Sequence, residues 1–126
     1  MFKPYLSRSL LYLYLFFVAV LVTVPIGGAD VALDEIHVGG TLRLDYLLHA
    51  LMFIPFVPLW RTGRPDHPWW LIIGGGLMFA AVCELLHMVL PYRGYNIYDL
   101  FANVAGVMAG TGLALGLSAK FIPKRN

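Results

Sequence analysis

The sequence predicts an all-α integral membrane protein with four transmembrane helices and both termini in the cytoplasm. Three observations lead there. Hydrophobic residues make up 60% of the 126-residue chain and charged residues only 13%, whereas soluble domains carry about 25% charged residues. Mean hydropathy is +0.75, and small soluble domains bury the smallest share of their surface, so this much apolar side chain needs lipid to face. The apolar residues also fall into four stretches separated by short polar segments. The length fits one domain, residues 1–126.

The first stretch runs over 9–25, from Ser9 to Pro25, without a charge. Lys3 and Arg8 before it and Gly27, Gly28 and Ala29 after it also suit a signal peptide. It is expected to stay with the protein as a first membrane helix. The second stretch covers about 44–60, Leu44 to Trp60, and contains Pro55 and Pro58, which should kink it; a re-entrant segment is the rival reading. The third spans 68–90, Pro68 to Leu90, and the fourth 97–122, Ile97 to Ile122. Each is near the roughly 20 residues needed to cross about 30 Å of hydrocarbon. Backbone polar groups in lipid must be satisfied internally, so each stretch is read as a helix.

Basic residues set the orientation. With the N-terminus inside, the inner regions hold Lys3, Arg8, Arg61, Arg64, Lys120, Lys124 and Arg125, and the outer loops only Arg43 and Arg93. That bias predicts both termini inside. Asp30, Asp34 and Glu35 then fall outside, while Trp60, Trp69 and Trp70 flank the inner loop as interfacial aromatics. A net charge of +2 spread over segment ends excludes a nucleic-acid-binding face. The single cysteine, Cys83, excludes an internal disulfide and a cysteine-based metal site and is read as packing filler.

This topology gathers polar residues at the outer face. Asp45 and His49 lie four apart at the start of the second helix, and Glu84 and His87 three apart near the end of the third. Arg93 sits in the loop Pro91–Asn96. Asp99 and Asn103 stand one turn apart at the start of the fourth helix, in one stripe with Gly106 and Gly110. A faint internal echo links Asp45 and His49 to Asp99 and Asn103, hinting at a duplicated hairpin.

Simpler roles compete for several of these residues. Asp99, three after Asn96, suits helix capping, and Asp45 suits the positive helix end. Gly106 with Gly110, and Gly112 with Gly116, have small-residue spacing for close helix packing, and Gly74, Gly75 and Gly76 are assigned to packing too. His49 alone fits a hydrogen-bonded core histidine. Glu84 resists such an explanation, because it lies about two turns inside the boundary, near a helix end that disfavours negative charge. An intramembrane acid is a functional candidate with a partner to be named, and the expected partner is Arg93.

The pattern resembles the VanZ-like family of bacterial membrane proteins. Asp45, His49 and Phe53 match in the stretch Leu44 to Phe53, and Glu84, Pro91, Arg93, Asp99, Asn103, Gly106 and Gly110 in the stretch Glu84 to Gly110. The sequence departs at Tyr46, where the family usually has lysine, and at His87, where it usually has glutamine. The resemblance implies a multi-pass protein of the bacterial cytoplasmic membrane, from a family whose founding members confer low-level teicoplanin resistance.

The expected function is an outward-facing polar site built from Asp45, His49, Glu84, His87, Arg93, Asp99 and Asn103. It would bind an anionic membrane lipid or a lipid-linked envelope precursor, with Arg93 supplying planar donors. The carboxylates would position those donors while opposing an anion. One alternative is an intramembrane enzyme acting on a lipid, although Ser7, Ser9 and Ser118 lie on the opposite side and Thr41 sits in an outer loop, so no nucleophile stands out. The other is a structural or assembly subunit with a membrane protein partner or a second copy. No metal site and no cofactor is assigned, even though Glu84-x-x-His87 with His49 and Asp45 offers oxygen and nitrogen ligands.

Overall fold

The computed structural model describes residues 4–25, 28, 32–33 and 35–121. Lys3, Gly27, Ala29, Asp30, Asp34, Ile122, Lys124 and Arg125, and the side chain of Lys120, lie outside this description. Among the described residues, three helices are long and apolar enough to cross a membrane, over Tyr5–Thr23, Trp69–Val89 and Ile97–Ser118.

Helix α1 runs over Pro4–Thr23. It starts earlier than the apolar stretch, because proline suits a first helical position where its missing N–H would be unpaired anyway. It stops before Pro25, which disfavours helical backbone at the preceding residue. A hairpin not foreseen in the sequence follows, with β1 (His37–Val38) pairing antiparallel to β2 (Leu42–Arg43). Its turn takes positive φ at Gly39 and Gly40, 63° and 83°, a region open to glycine at little cost. The Leu44 amide then donates to the Ile36 carbonyl at 2.8 Å and seats the hairpin on the next helix.

The second apolar stretch forms two helices where one kinked helix was expected. Helix α2 covers Leu44–Phe53 and α3 covers Phe56–Gly63. Ile54 and Pro55 keep right-handed helical dihedrals between them, so the chain bends without reversing. The physical cause is the absence of two donors: the Leu51 and Ile54 carbonyls would take their bonds from residues 55 and 58, and both are proline.

Helix α4 (Trp69–Val89) ends one residue short of the proline at 91, and α5 spans Ile97–Phe121. The buried face of α4 carries Ile72, Gly76, Ala80, Cys83, Glu84 and His87, a run of three- and four-residue steps that forms one helical stripe. Cys83 belongs to the core, as its filler role requires. Phe79 packs on Phe53 and Phe56 with ring centroids 5.6 and 5.8 Å away. Outward faces carry Tyr12, Phe16, Met78, Met88, Phe101 and Met108, all well exposed, the inside-out arrangement that lipid requires.

Glycines decide how close the helices come. A Cβ at Gly106 would overlap the Ala50 carbonyl, and one at Gly110 the Ile54 carbonyl, so α5 lies directly on the backbone of α2. Ile54 is one of the two carbonyls freed by proline. A Cβ at Gly75 would strike the Trp60 ring and one at Gly76 would press on Phe56 and Val107. Gly74, Gly112 and Gly116 do not match the packing expectation: nothing lies within 4 Å of their would-be Cβ atoms. All three are exposed.

Candidate functional site

The polar residues meet at the end of the bundle where α1 and α4 finish and α2 and α5 begin. Each arrives there through its helix period. Glu84 and His87 continue the buried stripe that Ile72 and Ala80 start, and Asn103 continues that of Gly106 and Val107. Glu84 and Asn103 are each 1% exposed, His87 5% and Asp99 6%. Asp45 and His49 side chains are less than one fifth exposed.

Asn103 organises the centre. Its amide Nδ2 donates to Glu84 Oε1 at 3.5 Å, which leaves Oδ1 to accept from His49 Nδ1 at 3.0 Å. The other His49 nitrogen, Nε2, lies 3.5 Å from Asp45 Oδ1, and Asp45 Oδ2 lies 3.6 Å from Arg43. His87 Nδ1 stands 3.6 Å from Glu84 Oε1. Among the described residues, Glu84 Oε2 and His87 Nε2 are buried without a hydrogen-bond partner. The His49 and His87 rings meet edge to face at 6.4 Å.

The expected Glu84–Arg93 pair does not form. Glu84 points into the helix interface along the buried stripe, whereas Arg93, beyond Pro91, reaches across to α1. There Nη2 donates to the Leu21 and Val24 carbonyls at 2.8 and 3.3 Å, and the Tyr92 hydroxyl donates to the Thr23 carbonyl. A cation suits these unpaired carbonyls at a helix C-terminus. Arg93 therefore ties the α4–α5 loop to α1.

Capping at Asp99 is present. Asn96 accepts from the Tyr98 amide at 3.1 Å and its Nδ2 donates to Asp99 Oδ1 at 3.1 Å, a cap of the first turn of α5. Asp99 nonetheless also faces the cluster: a carboxylate oxygen from Asp45, one from Asp99 and a ring nitrogen of His49 lie within 4.8 Å of one another. The echoed pairs Asp45–His49 and Asp99–Asn103 thus stand on two facing helices.

A polar cavity of about 570 Å³ opens here, with Arg43, Asp45, His49, His87, Arg93 and Asp99 among its walls. A second, mainly apolar cavity of about 470 Å³ runs beside it against Phe17, Leu21, Leu48, Leu51 and Met52. Asp45, His49, His87 and Arg93 line both. Among the described residues, the polar cavity has no serine, threonine or cysteine in its wall.

The VanZ/LLP1 family profile matches residues 9–119. The chain belongs to the VanZ/LLP1 family. No curated protein and no solved structure matches it. As a VanZ/LLP1 membrane protein it places all seven candidate side chains at one end of the bundle, in two groups. Asp45, His49, Glu84, His87, Asp99 and Asn103 form the connected cluster, and Arg93 joins the cavity wall while anchoring α1. Gly106 and Gly110 set the helix contact beneath them.

Sequence reasoning missed Arg43 and Tyr46 as site residues. The Arg43 guanidinium lies 4.6 Å from the centre of the Tyr46 ring, a cation–π contact. At position 46, where the resemblance leads one to expect lysine, a cation is thus brought back from three residues earlier. Arg43 immediately precedes α2, two residues before Asp45, and that spacing was the available signal.

Proposed function

We propose that this VanZ/LLP1 protein binds an anionic lipid or a lipid-linked envelope precursor at the extracytoplasmic face of a bacterial cytoplasmic membrane. The observation that carries this reading is the pair of adjoining cavities, one polar and one apolar, with four side chains in common. An amphiphile needs that division: a headgroup among Arg43, Arg93, His49 and His87, and an acyl chain along Leu48, Leu51 and Met52. Small-molecule sites of several hundred Å³ with a few convergent polar groups are the usual size and kind for such a ligand. Arginine in two walls, with its planar fork of donors, favours an anion that accepts bidentate hydrogen bonds, such as phosphate or carboxylate.

The orientation rests on the distribution of Lys and Arg in the sequence. In this reading α2 and α3 together make a fourth crossing, because Leu44 to Gly63 at 1.5 Å per residue spans about 30 Å, the thickness of the hydrocarbon core. Teicoplanin tolerance, the phenotype associated with the founding family members, would follow from engagement of an envelope precursor.

Mass spectrometry of lipids retained by the detergent-purified protein tests the proposal. The expected result is a defined anionic lipid enriched over the bulk extract, reduced at least about tenfold by Leu48→Trp, which fills the apolar cavity, and by Arg93→Ala. A retained lipid profile that mirrors the bulk membrane, or that neither variant alters, would sink it.

A further inference from the structure

We propose that Asp45, His49 and Asp99 form a binding site for one divalent transition-metal ion of the zinc or manganese class. Their three donor atoms already lie within 4.8 Å of one another. Ligands held about 2.0–2.2 Å from such an ion stand roughly 3–4 Å apart, so only a small contraction is needed.

The orientation of His49 points to a ligand. Asn103 Oδ1 fixes the ring proton on Nδ1, which leaves the Nε2 lone pair directed at Asp45 Oδ1, 3.5 Å away. Two acceptors facing each other repel unless a cation or a proton lies between them. A hydrogen bond from the far nitrogen to a fixed acceptor is also how metal-binding histidines are held. Here the Asn103 side-chain carbonyl is that acceptor, and its amide donates in turn to Glu84.

Charge argues the same way. Two carboxylates converge in a partly buried place, and an ion of charge +2 balances them while Arg43 stays on the other Asp45 oxygen, Oδ2. A second observation is independent of the triad: His87 lines the same cavity, and its Nε2 is buried with no partner among the described residues. It lies outside the three-atom group and stands available as a donor to whatever the metal binds. Mixed carboxylate and imidazole donors without thiolate suit zinc or manganese and disfavour copper(I). Three protein ligands leave an open position, and it faces the polar cavity, where a phosphate oxygen would complete the sphere.

The test uses the full chain in detergent, stripped with chelator and titrated calorimetrically with ZnCl₂ and separately with MnCl₂. One ion per chain is expected for at least one metal. Asp45→Asn, His49→Gln and Asp99→Asn should each weaken binding at least about tenfold, and Asn103→Ala about 10- to 100-fold through loss of ring orientation. His67→Gln, at the opposite end of the bundle beside Trp60, should leave affinity unchanged. Melting in chelator identifies any variant that fails to fold. For those, the visible spectrum of the Co²⁺-loaded unaltered chain, bleached by Zn²⁺, reports nitrogen and oxygen ligation directly. Absence of stoichiometric binding by the unaltered chain overturns the proposal and leaves a proton between Asp45 and His49; so does binding that survives His49→Gln and Asp99→Asn. Lipid retention measured in parallel separates this inference from the lipid reading, since either can fail while the other stands.

Discussion

Replacing Gly106 with alanine places a methyl group against backbone that cannot step aside. Its Cβ would overlap the Ala50 carbonyl and lie 2.9 Å from Phe53 Cβ. Both neighbours belong to α2, so relief requires moving α5 from α2 by on the order of 1 Å, and overpacking of this kind typically costs about 1–3 kcal/mol. Alanine's better helix propensity offsets about 1 kcal/mol of that. The net expectation is a loss of up to about 2 kcal/mol, a factor of up to about 30 in the folded-to-unfolded ratio. Gly112→Ala is the matched control on the same helix: its Cβ meets nothing within 4 Å, so only the propensity gain remains and stability should hold or rise by up to about 1 kcal/mol. Dodecyl sulfate titration followed by tryptophan fluorescence measures both. The displacement should also lengthen the 3.0 Å His49–Asn103 hydrogen bond, since Asn103 lies one turn from Gly106, and imidazole NMR would register it. If Gly106→Ala unfolds at the same detergent fraction as Gly112→Ala, the idea that this glycine sets the α2–α5 contact is wrong.

Three further outcomes are expected. Asn103→Ala removes partners from both His49 and a buried carboxylate, at a cost of about 2–4 kcal/mol, and Asn103→Asp, which sets a second carboxyl against Glu84, should melt lower still; thermal unfolding in detergent ranks the two. Arg93→Ala unpins the α4–α5 loop from the α1 carbonyls, at about 1–3 kcal/mol for a charged donor, and limited proteolysis should find residues 91–96 more open, with Arg93→Lys recovering part of the protection. Gly75→Ala pushes only on the Trp60 ring, 2.6 Å from the added carbon. Because that ring can swing, stability should fall by less than about 1 kcal/mol, while tryptophan emission shifts as the Trp60–His67 hydrogen bond at 3.0 Å breaks.

Helical period explains why most of the site is legible in the sequence. Asp45 with His49, Glu84 with His87, and Asp99 with Asn103 are spaced at three or four residues, and that spacing alone puts each pair on one side of a helix. The family resemblance picks out the same positions except His87, and the family profile covers them. The partners are not legible. Charge and nearness to one face suggest an Arg93–Glu84 pair, yet which way a residue beyond Pro91 turns depends on where α1 ends. Asn103 reads as one more polar group, and it links His49 to Glu84 only because α5 closes on α2.

By itself the sequence determined that the chain is a helical membrane protein and which polar residues share a helix face. Apolar excess and three-to-four-residue spacing are local properties, readable one segment at a time. Tertiary structure decided which of those residues touch, that Gly106 and Gly110 bring two backbones together while Gly112 and Gly116 do not, and that the polar and apolar cavities share a wall. Those facts depend on helix separation and rotation, which are set by contacts between segments far apart in the chain, and no single segment encodes them.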